Sequence, residues 1–268
     1  MCATRTPSWW NETGATMDRV NIVVNDVEVA VPQGKSLLDA VLEAGFDVPH
    51  LCHHPAVEAI GACRLCLVEL EQDGRHQITT CCNVRVEAGL RVVTDSAEVR
   101  EHRARNLELL LARAPGAPQL RRLAAEYGIK VPRFEQPPTE GIKNCILCEL
   151  CVRVCSMLEH DALVVIGRGE KKRIGLPFNR PSTSCVGCTS CAAVCPTSCI
   201  PVKRQGNTLS IWGQQFEMVS CSVCGEPFMT VRHRQHLARK LGIPEENYDR
   251  CESCKQAEAS RRFASVVW

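Results

Sequence analysis

The sequence predicts an α+β chain made of several small modules, and three observations support this fold class. Polar and apolar residues alternate from Met17 to a turn at Asn25-Asp26 and again beyond it, which is typical of a β-hairpin, and helical spacing follows Ser36. Residues 97–128 are rich in Arg, Leu, Ala and Glu, contain no cysteine, and indicate two helices broken at APGAP. The chain has 19 cysteines in 268 residues, which indicates modules organised around something other than a large core.

The first module is predicted to be a hairpin followed by a short helix. Ser36 is the expected N-cap of that helix and Gly45 its expected end. The residues that would pack the helix on the sheet are Leu37, Leu38, Val41 and Leu42.

The N-terminal residues and the bulk composition bear on location and partners. Residues 1–16 carry no pattern, the N-terminal extension is predicted to comprise residues 1–18, and Met17 is an alternative start. The sequence has no secretory signal and no run of about 18 apolar residues, so we expect a cytoplasmic protein whose cysteines bind metal rather than form disulfides. A net charge of +2 and a pI near 7.8 do not favour a nucleic-acid or membrane partner.

Two runs of the form C-x2-C-x2-C-x3-C predict two 4Fe-4S clusters. This is the spacing of bacterial two-cluster ferredoxins, in which the fourth cysteine of each run binds the cluster of the other run. Zinc would not require eight ligands in duplicate. The predicted ligands of the first cluster are Cys145, Cys148, Cys151 and Cys195. The predicted ligands of the second cluster are Cys155, Cys185, Cys188 and Cys191.

A third group of cysteines predicts a 2Fe-2S cluster. The spacing is similar to the plant-type C-x4-C-x2-C pattern but has a longer first loop, and Gly61 would let main-chain N–H groups approach the sulfurs. A zinc site is an alternative, and Cys81 is an alternative fourth ligand. His53 and His54 do not have the spacing of Rieske ligands. The predicted ligands are Cys52, Cys63, Cys66 and Cys82.

Two C-x2-C pairs near the C-terminus predict a zinc ribbon. The 26 residues between the pairs exceed the usual spacer of about 15 to 20, and a rubredoxin-like single iron is an alternative. The basic helix between the pairs is expected to be a solvated face or a docking surface. The predicted ligands are Cys221, Cys224, Cys251 and Cys254. Cys2, Cys81 and Cys199 are then left without a metal.

Residues 19–202 resemble the iron-sulfur diaphorase subunit of NAD-reducing nickel-iron hydrogenases, itself similar to the N-terminal part of the large iron-sulfur subunit of complex I. The resemblance is carried by motifs that include PHLCHHP, GACRLCLVEL, NLELLLA, IGRGEKKRIGLPFNRP and the paired cysteine runs. It implies a β-grasp 2Fe-2S domain, a helical linker and a two-cluster 4Fe-4S module, with a flavin-NAD(P)H subunit and a catalytic subunit as partners. C-terminal cysteine pairs also resemble those on some hydrogenase ferredoxin-type subunits.

The sequence departs from that family in one segment and lacks a substrate site of its own. Where the family has a His and three Cys for a further 4Fe-4S cluster, this chain reads ARAPGAPQLRRLAAEYGI, so no cluster is predicted there. The segment GRGEKK lacks the strand and helix context of a dinucleotide site, and no catalytic triad or acid-base pair is recognisable. Neither NAD nor flavin is therefore expected to bind to this chain.

The predicted function is single-electron relay between a flavin-NAD(P)H subunit and a catalytic subunit, most simply of a nickel-iron hydrogenase. The alternatives are the same role in a formate dehydrogenase, a bifurcating complex or another reductase, and, from a different class, a zinc-rich binding or regulatory module. The predicted segments are the extension 1–18, the 2Fe-2S domain 19–96, the helical linker 97–140, the 4Fe-4S module 141–206 and the zinc ribbon 210–262.

Overall fold

The computed structural model describes residues 18–130, 133–134 and 141–264. The predicted extension, apart from its last residue, and most of residues 131–140 lie outside the described residues. The chain divides into two compact units. The first comprises residues up to His50 together with Arg64–Arg103, and the second comprises Leu51–Cys63 together with the chain from Ala104 onward.

A five-stranded mixed sheet forms the first unit. Its strands are β1 (Arg19–Val24), β2 (Val27–Pro32), β3 (Leu67–Gln72), β4 (Arg75–Thr80) and β5 (Arg91–Val93). Their order is β2-β1-β5-β3-β4, in which β1 and β5 are parallel and the other neighbouring pairs antiparallel. Two hairpins are thus joined through the short central strand β5, which is the predicted β-grasp arrangement.

The first hairpin and its helix largely follow the prediction. Asn25 and Asp26 both have positive φ, as a two-residue hairpin turn requires. Helix α1 (Leu37–Glu43) buries Leu37, Leu38 and Val41, whereas Leu42 is half-buried, and it ends before Gly45, whose φ is +89°. Ser36 occupies the predicted N-cap position, and its carbonyl accepts from the amide of Ala40, but its side chain makes no capping hydrogen bond and its main chain forms an isolated bridge with Arg85.

Helices α2 (Ala97–Arg113) and α3 (Pro118–Glu126) are separated within the APGAP segment, as predicted, and Pro118, the last residue of that segment, begins α3. Within the first unit, Arg103 of α2 is only 1% exposed. Its Nη2 donates to the carbonyl of Leu67, at 2.6 Å, and to that of Thr94, at 2.7 Å. A buried guanidinium therefore ties the start of α2 to the residue that follows Cys66.

Besides the end of α2 and all of α3, the second unit contains two short helices, two small sheets and two C-terminal helices. A two-stranded sheet is formed by β6 (Val164–Ile166) and β7 (Arg173–Gly175). The other sheet, in the order β11-β10-β9-β8, contains β8 (Val202–Gln205), β9 (Thr208–Ile211), β10 (Gln214–Ser220) and β11 (Pro227–Thr230). The helices are α4 (Leu150–Met157), α5 (Ser190–Ala193), α6 (Val231–Leu241) and α7 (Glu252–Ala264).

The core of the second unit lies between the four-stranded sheet and the cysteine-rich segments. Its buried residues include Leu163, Ile174, Leu209, Phe216 and Met218, and seven cysteines of the region pack against or within the same cluster. The hairpin of β8 and β9 crosses the predicted boundary between residues 206 and 210. The domain boundaries therefore stay predictions. No helix among the described residues is long and apolar enough to cross a membrane.

Candidate metal centres

The two C-x2-C-x2-C segments of the second unit have the same backbone conformation. Leu147 and Gly187, which occupy equivalent positions before the second cysteine, both have positive φ, and so do Glu149 and Thr189 directly after it. In each segment the residue two positions on donates its N–H to the first cysteine sulfur. Such N–H groups favour a negatively charged sulfur, which is what a metal-bound thiolate requires.

One cavity brings together the four predicted ligands of the first 4Fe-4S cluster. We name it the first thiol site, defined by Cys145, Cys148, Cys151 and Cys195. Its other lining residues are mostly aliphatic, namely Ile142, Ile146, Ile174 and Ile200, together with Glu149, Thr197 and Cys199. Cys195 therefore lines the cavity of the preceding cysteine run although it belongs to the second run in sequence.

A second cavity has the reciprocal composition. We name it the second thiol site, defined by Cys155, Cys185, Cys188 and Cys191. Its apolar lining includes Leu158, Leu163, Val186, Ile211 and Trp212, and His160 also contributes to it. The fourth cysteine of the first run thus joins the three leading cysteines of the second run. The cysteines that line the two cavities are those named in the predicted crossed arrangement, and their role as ligands stays a prediction.

Burial and neighbouring donors set the charge state of these thiols. Burial raises the pKa of Cys148 to about 12 and that of Cys191 to about 11. The Cys199 thiol acts in the other direction, because its hydrogen bonds lower the pKa of Cys145 to about 7 and that of Cys195 to about 5. A cation bound at either site would balance the negative charge of the buried thiolates.

Several residues that contact these ligands were not identified from the sequence. The indole Nε1 of Trp212 donates to the sulfur of Cys191 at 3.4 Å. The guanidinium of Arg113 donates to the Cys145 carbonyl at 3.0 Å, and that of Arg232 to the Cys185 carbonyl at 3.3 Å. Each of these side chains is at least 20 residues away in sequence from the cysteine that it contacts, so no local motif predicts the contact.

Gly187 allows the second thiol site to lie against the C-terminal sheet. Its φ is +70°, and an added Cβ would lie 2.9 Å from a ring carbon of Phe216 and 3.0 Å from Cγ2 of Thr230. The Thr230 hydroxyl donates to the carbonyl of Val186. It also accepts from the amide of His233, and this hydrogen bond makes Thr230 the N-cap of α6. The start of α6 is therefore fixed beside the second thiol site.

The four predicted 2Fe-2S ligands are distributed over both units. In the first unit, Cys66, Cys81 and Cys82 are all buried, and the Cys66 thiol is hydrogen bonded to both of the others. The Cys81 bond contributes most to raising the pKa of Cys66 to about 12. In the second unit, the amide of Cys63 donates to the sulfur of Cys52 at 3.3 Å. These contacts do not decide between Cys81 and Cys82 as the fourth ligand.

The four C-terminal cysteines form the most compact group. The sulfurs of Cys221, Cys224, Cys251 and Cys254, which we name the C-terminal thiol site, all lie within 4.8 Å of one another. The amide of Cys251 donates to the Cys221 sulfur at 3.3 Å, and such N–H donors lower the pKa of the Cys221 thiol to about 6. Four convergent sulfurs, one already biased towards thiolate, fit a tetrahedral metal ion.

No cysteine in the described part of the chain forms a disulfide. Thiols that converge in sets of four, receive N–H donors and line apolar cavities match the ligands of iron-sulfur clusters and zinc. The residues present at the first, second and C-terminal thiol sites therefore fit the metal groups predicted from the sequence.

Comparison with protein families gives two matches. The family of 2Fe-2S iron-sulfur cluster binding domains matches residues 17–97, and the family of 4Fe-4S dicluster domains matches residues 144–199. Together the matches include all the predicted iron-sulfur ligands. Neither match extends to the C-terminal thiol site.

Individual relatives are subunits of NAD(P)-linked oxidoreductases. The chain is 31% identical to the NADPH-Fe(3+) oxidoreductase subunit alpha of Geobacter sulfurreducens, over 70% of this chain and 25% of that protein. It is 28% identical to the NADP-reducing hydrogenase subunit HndD of Solidesulfovibrio fructosivorans, over 69% and 36%. The NADH-quinone oxidoreductase subunit 3 of Thermus thermophilus is 27% identical over 76% of this chain and 33% of that protein.

A solved structure extends the comparison to the fold. A chain of the NAD+-reducing [NiFe]-hydrogenase in the H2-reduced state aligns with a TM-score of 0.59 at 29% identity, covering 67% of this chain and 86% of that chain. The predicted resemblance is thereby confirmed, except for the zinc ribbon. The chain spans only about a quarter to a third of the length of the curated relatives named here.

Proposed function

The chain is an iron-sulfur protein that joins a 2Fe-2S domain to a 4Fe-4S dicluster domain, and from this premise we propose that it relays single electrons within an NAD(P)-linked oxidoreductase. The observation that carries the proposal is the pair of cavities in which each set of four cysteines is drawn from both cysteine runs. Iron-sulfur clusters bound there would supply one-electron chemistry over a wide range of potentials.

We assign the ligands by the thiol sites already defined. The first and second thiol sites would each hold a 4Fe-4S cluster. The 2Fe-2S cluster would be held by Cys52, Cys63, Cys66 and Cys82, with Cys81 as the alternative to Cys82. Zinc would occupy the C-terminal thiol site, with a single iron as the alternative.

The surrounding residues have defined tasks in this proposal. Main-chain N–H groups and the Trp212 indole donate to ligand sulfurs and offset negative charge. The isoleucines of the first thiol site and Leu158, Leu163 and Ile211 of the second keep water away from the sulfurs. In this proposal the electron donor and the electron acceptor are partner subunits.

The proposed partners are a flavin-NAD(P)H subunit and a nickel-iron hydrogenase subunit, within a cytoplasmic complex. Support comes from the relatives whose names specify a NADP-reducing hydrogenase and an NAD+-reducing [NiFe]-hydrogenase. The relative named NADPH-Fe(3+) oxidoreductase supports a second candidate, in which the same relay serves another reductase.

Metal analysis of anaerobically purified protein is expected to give about 10 Fe and one Zn per chain. About 14 Fe would contradict the prediction that residues 97–140 lack a further cluster, and colourless, EPR-silent protein with zinc alone would favour the binding-module alternative. Mass spectrometry of the subunits that co-purify then separates the two candidates. A flavin subunit with hydrogenase subunits supports the first, and a flavin subunit with another catalytic subunit supports the second.

Trp212→Phe is expected to make the potential of the second 4Fe-4S cluster more negative by on the order of 50 mV, because a hydrogen bond to a ligand sulfur stabilises the reduced, more negative state. An EPR-monitored redox titration measures the shift. An equal shift of both 4Fe-4S signals would contradict the assignment of Trp212 to the second site.

A further inference from the structure

Arg153 connects two cysteine-bearing segments that are far apart in sequence. It lies on α4, between Cys151 and Cys155, and is half-buried. Its Nη2 donates to the carbonyl of Cys52 at 3.0 Å and to the carbonyl of Cys148 at 3.0 Å. One nitrogen therefore joins the main chain of a proposed 2Fe-2S ligand to that of a proposed 4Fe-4S ligand.

The contact extends along the loop that contains Cys52. The Nη1 group of Arg153 donates to the carbonyl of Glu58 in the same loop. The loop 51–63 belongs to the second compact unit, as do α4 and Cys148, so all three hydrogen bonds lie within one unit. The Arg153 charge also acts on the Cys148 thiol, where it opposes the pKa increase caused by burial.

A guanidinium is the side chain suited to this position. It is planar, keeps its charge and carries five N–H donors in a fixed fork, so it can bond to several carbonyls at once. A lysine ammonium keeps the charge but does not reproduce the fork. Hydrogen bonds from a charged donor to main-chain carbonyls are stronger than neutral ones.

We propose that Arg153 is a positioning residue that fixes the Cys52 loop against the first thiol site and so sets the electronic coupling between the 2Fe-2S cluster and the first 4Fe-4S cluster. The inference rests on the proposed function for the clusters. The positioning itself involves only residues of this chain.

The test uses the full chain with Arg153→Met, Arg153→Lys and, as a matched control, Arg122→Met at an exposed arginine of α3. Hydrogen exchange is measured first on the full-length protein purified without oxygen. Amides of residues 51–63 should exchange about tenfold to hundredfold faster in Arg153→Met, less so in Arg153→Lys, and at the parent rate in the control. Parent rates in both Arg153 variants would overturn the proposal.

The second readout is EPR of the cluster-loaded protein. In the parent protein, the reduced first 4Fe-4S cluster should enhance the spin relaxation of the reduced 2Fe-2S cluster. Arg153→Met, with an iron content of about 10 per chain, should lose this enhancement, and Arg153→Lys should weaken it. Undiminished enhancement in Arg153→Met would overturn the coupling role. If the parent protein bound no clusters, the proposed function would fail, whereas the exchange measurement would still decide whether Arg153 holds the loop.

Discussion

Replacing both Cys195 and Cys199 with alanine is expected to lower the iron content from about 10 to about 6 atoms per chain, with loss of the first 4Fe-4S cluster and retention of the second. The reason is that Cys195 lines the first thiol site, although the three preceding cysteines of its run line the second thiol site. Cys199 is replaced as well because its sulfur lies 3.6 Å from that of Cys195 and could take over as a ligand.

The identity of the cluster that remains can be read from its response to Trp212. If ligation is crossed, the cluster left in Cys195→Ala/Cys199→Ala still shifts its potential when Trp212→Phe is added, because Trp212 donates to Cys191. Cys155→Ala should also leave about 6 Fe, but its remaining cluster should be insensitive to Trp212→Phe. Uncrossed ligation would interchange the two responses.

Cys199→Ala alone is the control for this experiment. It removes the neighbouring thiol but none of the proposed ligands, so the protein should keep about 10 Fe. Loss of iron from this single variant would contradict the assignment of Cys195 as the fourth ligand of the first cluster. The expected difference of about four iron atoms is well within the reach of metal analysis.

The modules and the sets of cysteines around the two cavities were predictable because they depend on short-range spacing. Cysteines that repeat every third position on a tight loop converge on one cavity, and the duplicated run specifies the crossed fourth cysteine. The hairpin was equally local, since Asn25 and Asp26 readily adopt the positive φ that its turn requires. Such features need no knowledge of distant residues.

The parts that sequence reasoning missed depend on pairs of residues far apart in the chain. Trp212 contacts Cys191, Arg113 contacts Cys145, and Arg153 contacts the Cys52 loop only after the second unit has folded. An arginine or tryptophan in isolation is compatible with a solvated face or an ordinary core position, so its type carries no signal for these contacts. Helix α6 shows the same limit, because it was expected to be a solvated face or a docking surface, whereas the ring centroid of its His236 lies 4.5 Å from that of His160.

Ser36 takes the predicted N-cap position without a side-chain cap, for a related reason. A serine before an apolar helical pattern is a common N-cap. The sequence does not indicate that the main chain of another segment will pair with it. In the structure its main chain pairs with Arg85, and the amide of Leu37 donates to the carbonyl of Val84. Tertiary pairing therefore replaces the local cap at the start of α1.

Replacing Arg103 with methionine is expected to destabilise the first unit by about 3 kcal/mol. Methionine fills a similar volume, but the carbonyls of Leu67 and Thr94 would lose a charged donor inside the protein. The matched control is Arg100→Met, one turn earlier on α2, where the arginine side chain is 48% exposed and pairs with Asp95. Exposed pairs of this kind contribute about 0–1 kcal/mol.

Hydrogen exchange is the appropriate measurement because a chain with two compact units need not unfold in one step. Arg103→Met should accelerate exchange of the protected amides of β3 and β5 by about a hundredfold, and Arg100→Met by less than about tenfold. Equal protection in the two variants would contradict the role given to Arg103. Because Leu67 directly follows Cys66, loss of this anchor should also weaken retention of the two iron atoms of the proposed 2Fe-2S cluster, whereas the eight iron atoms of the 4Fe-4S clusters should be unaffected.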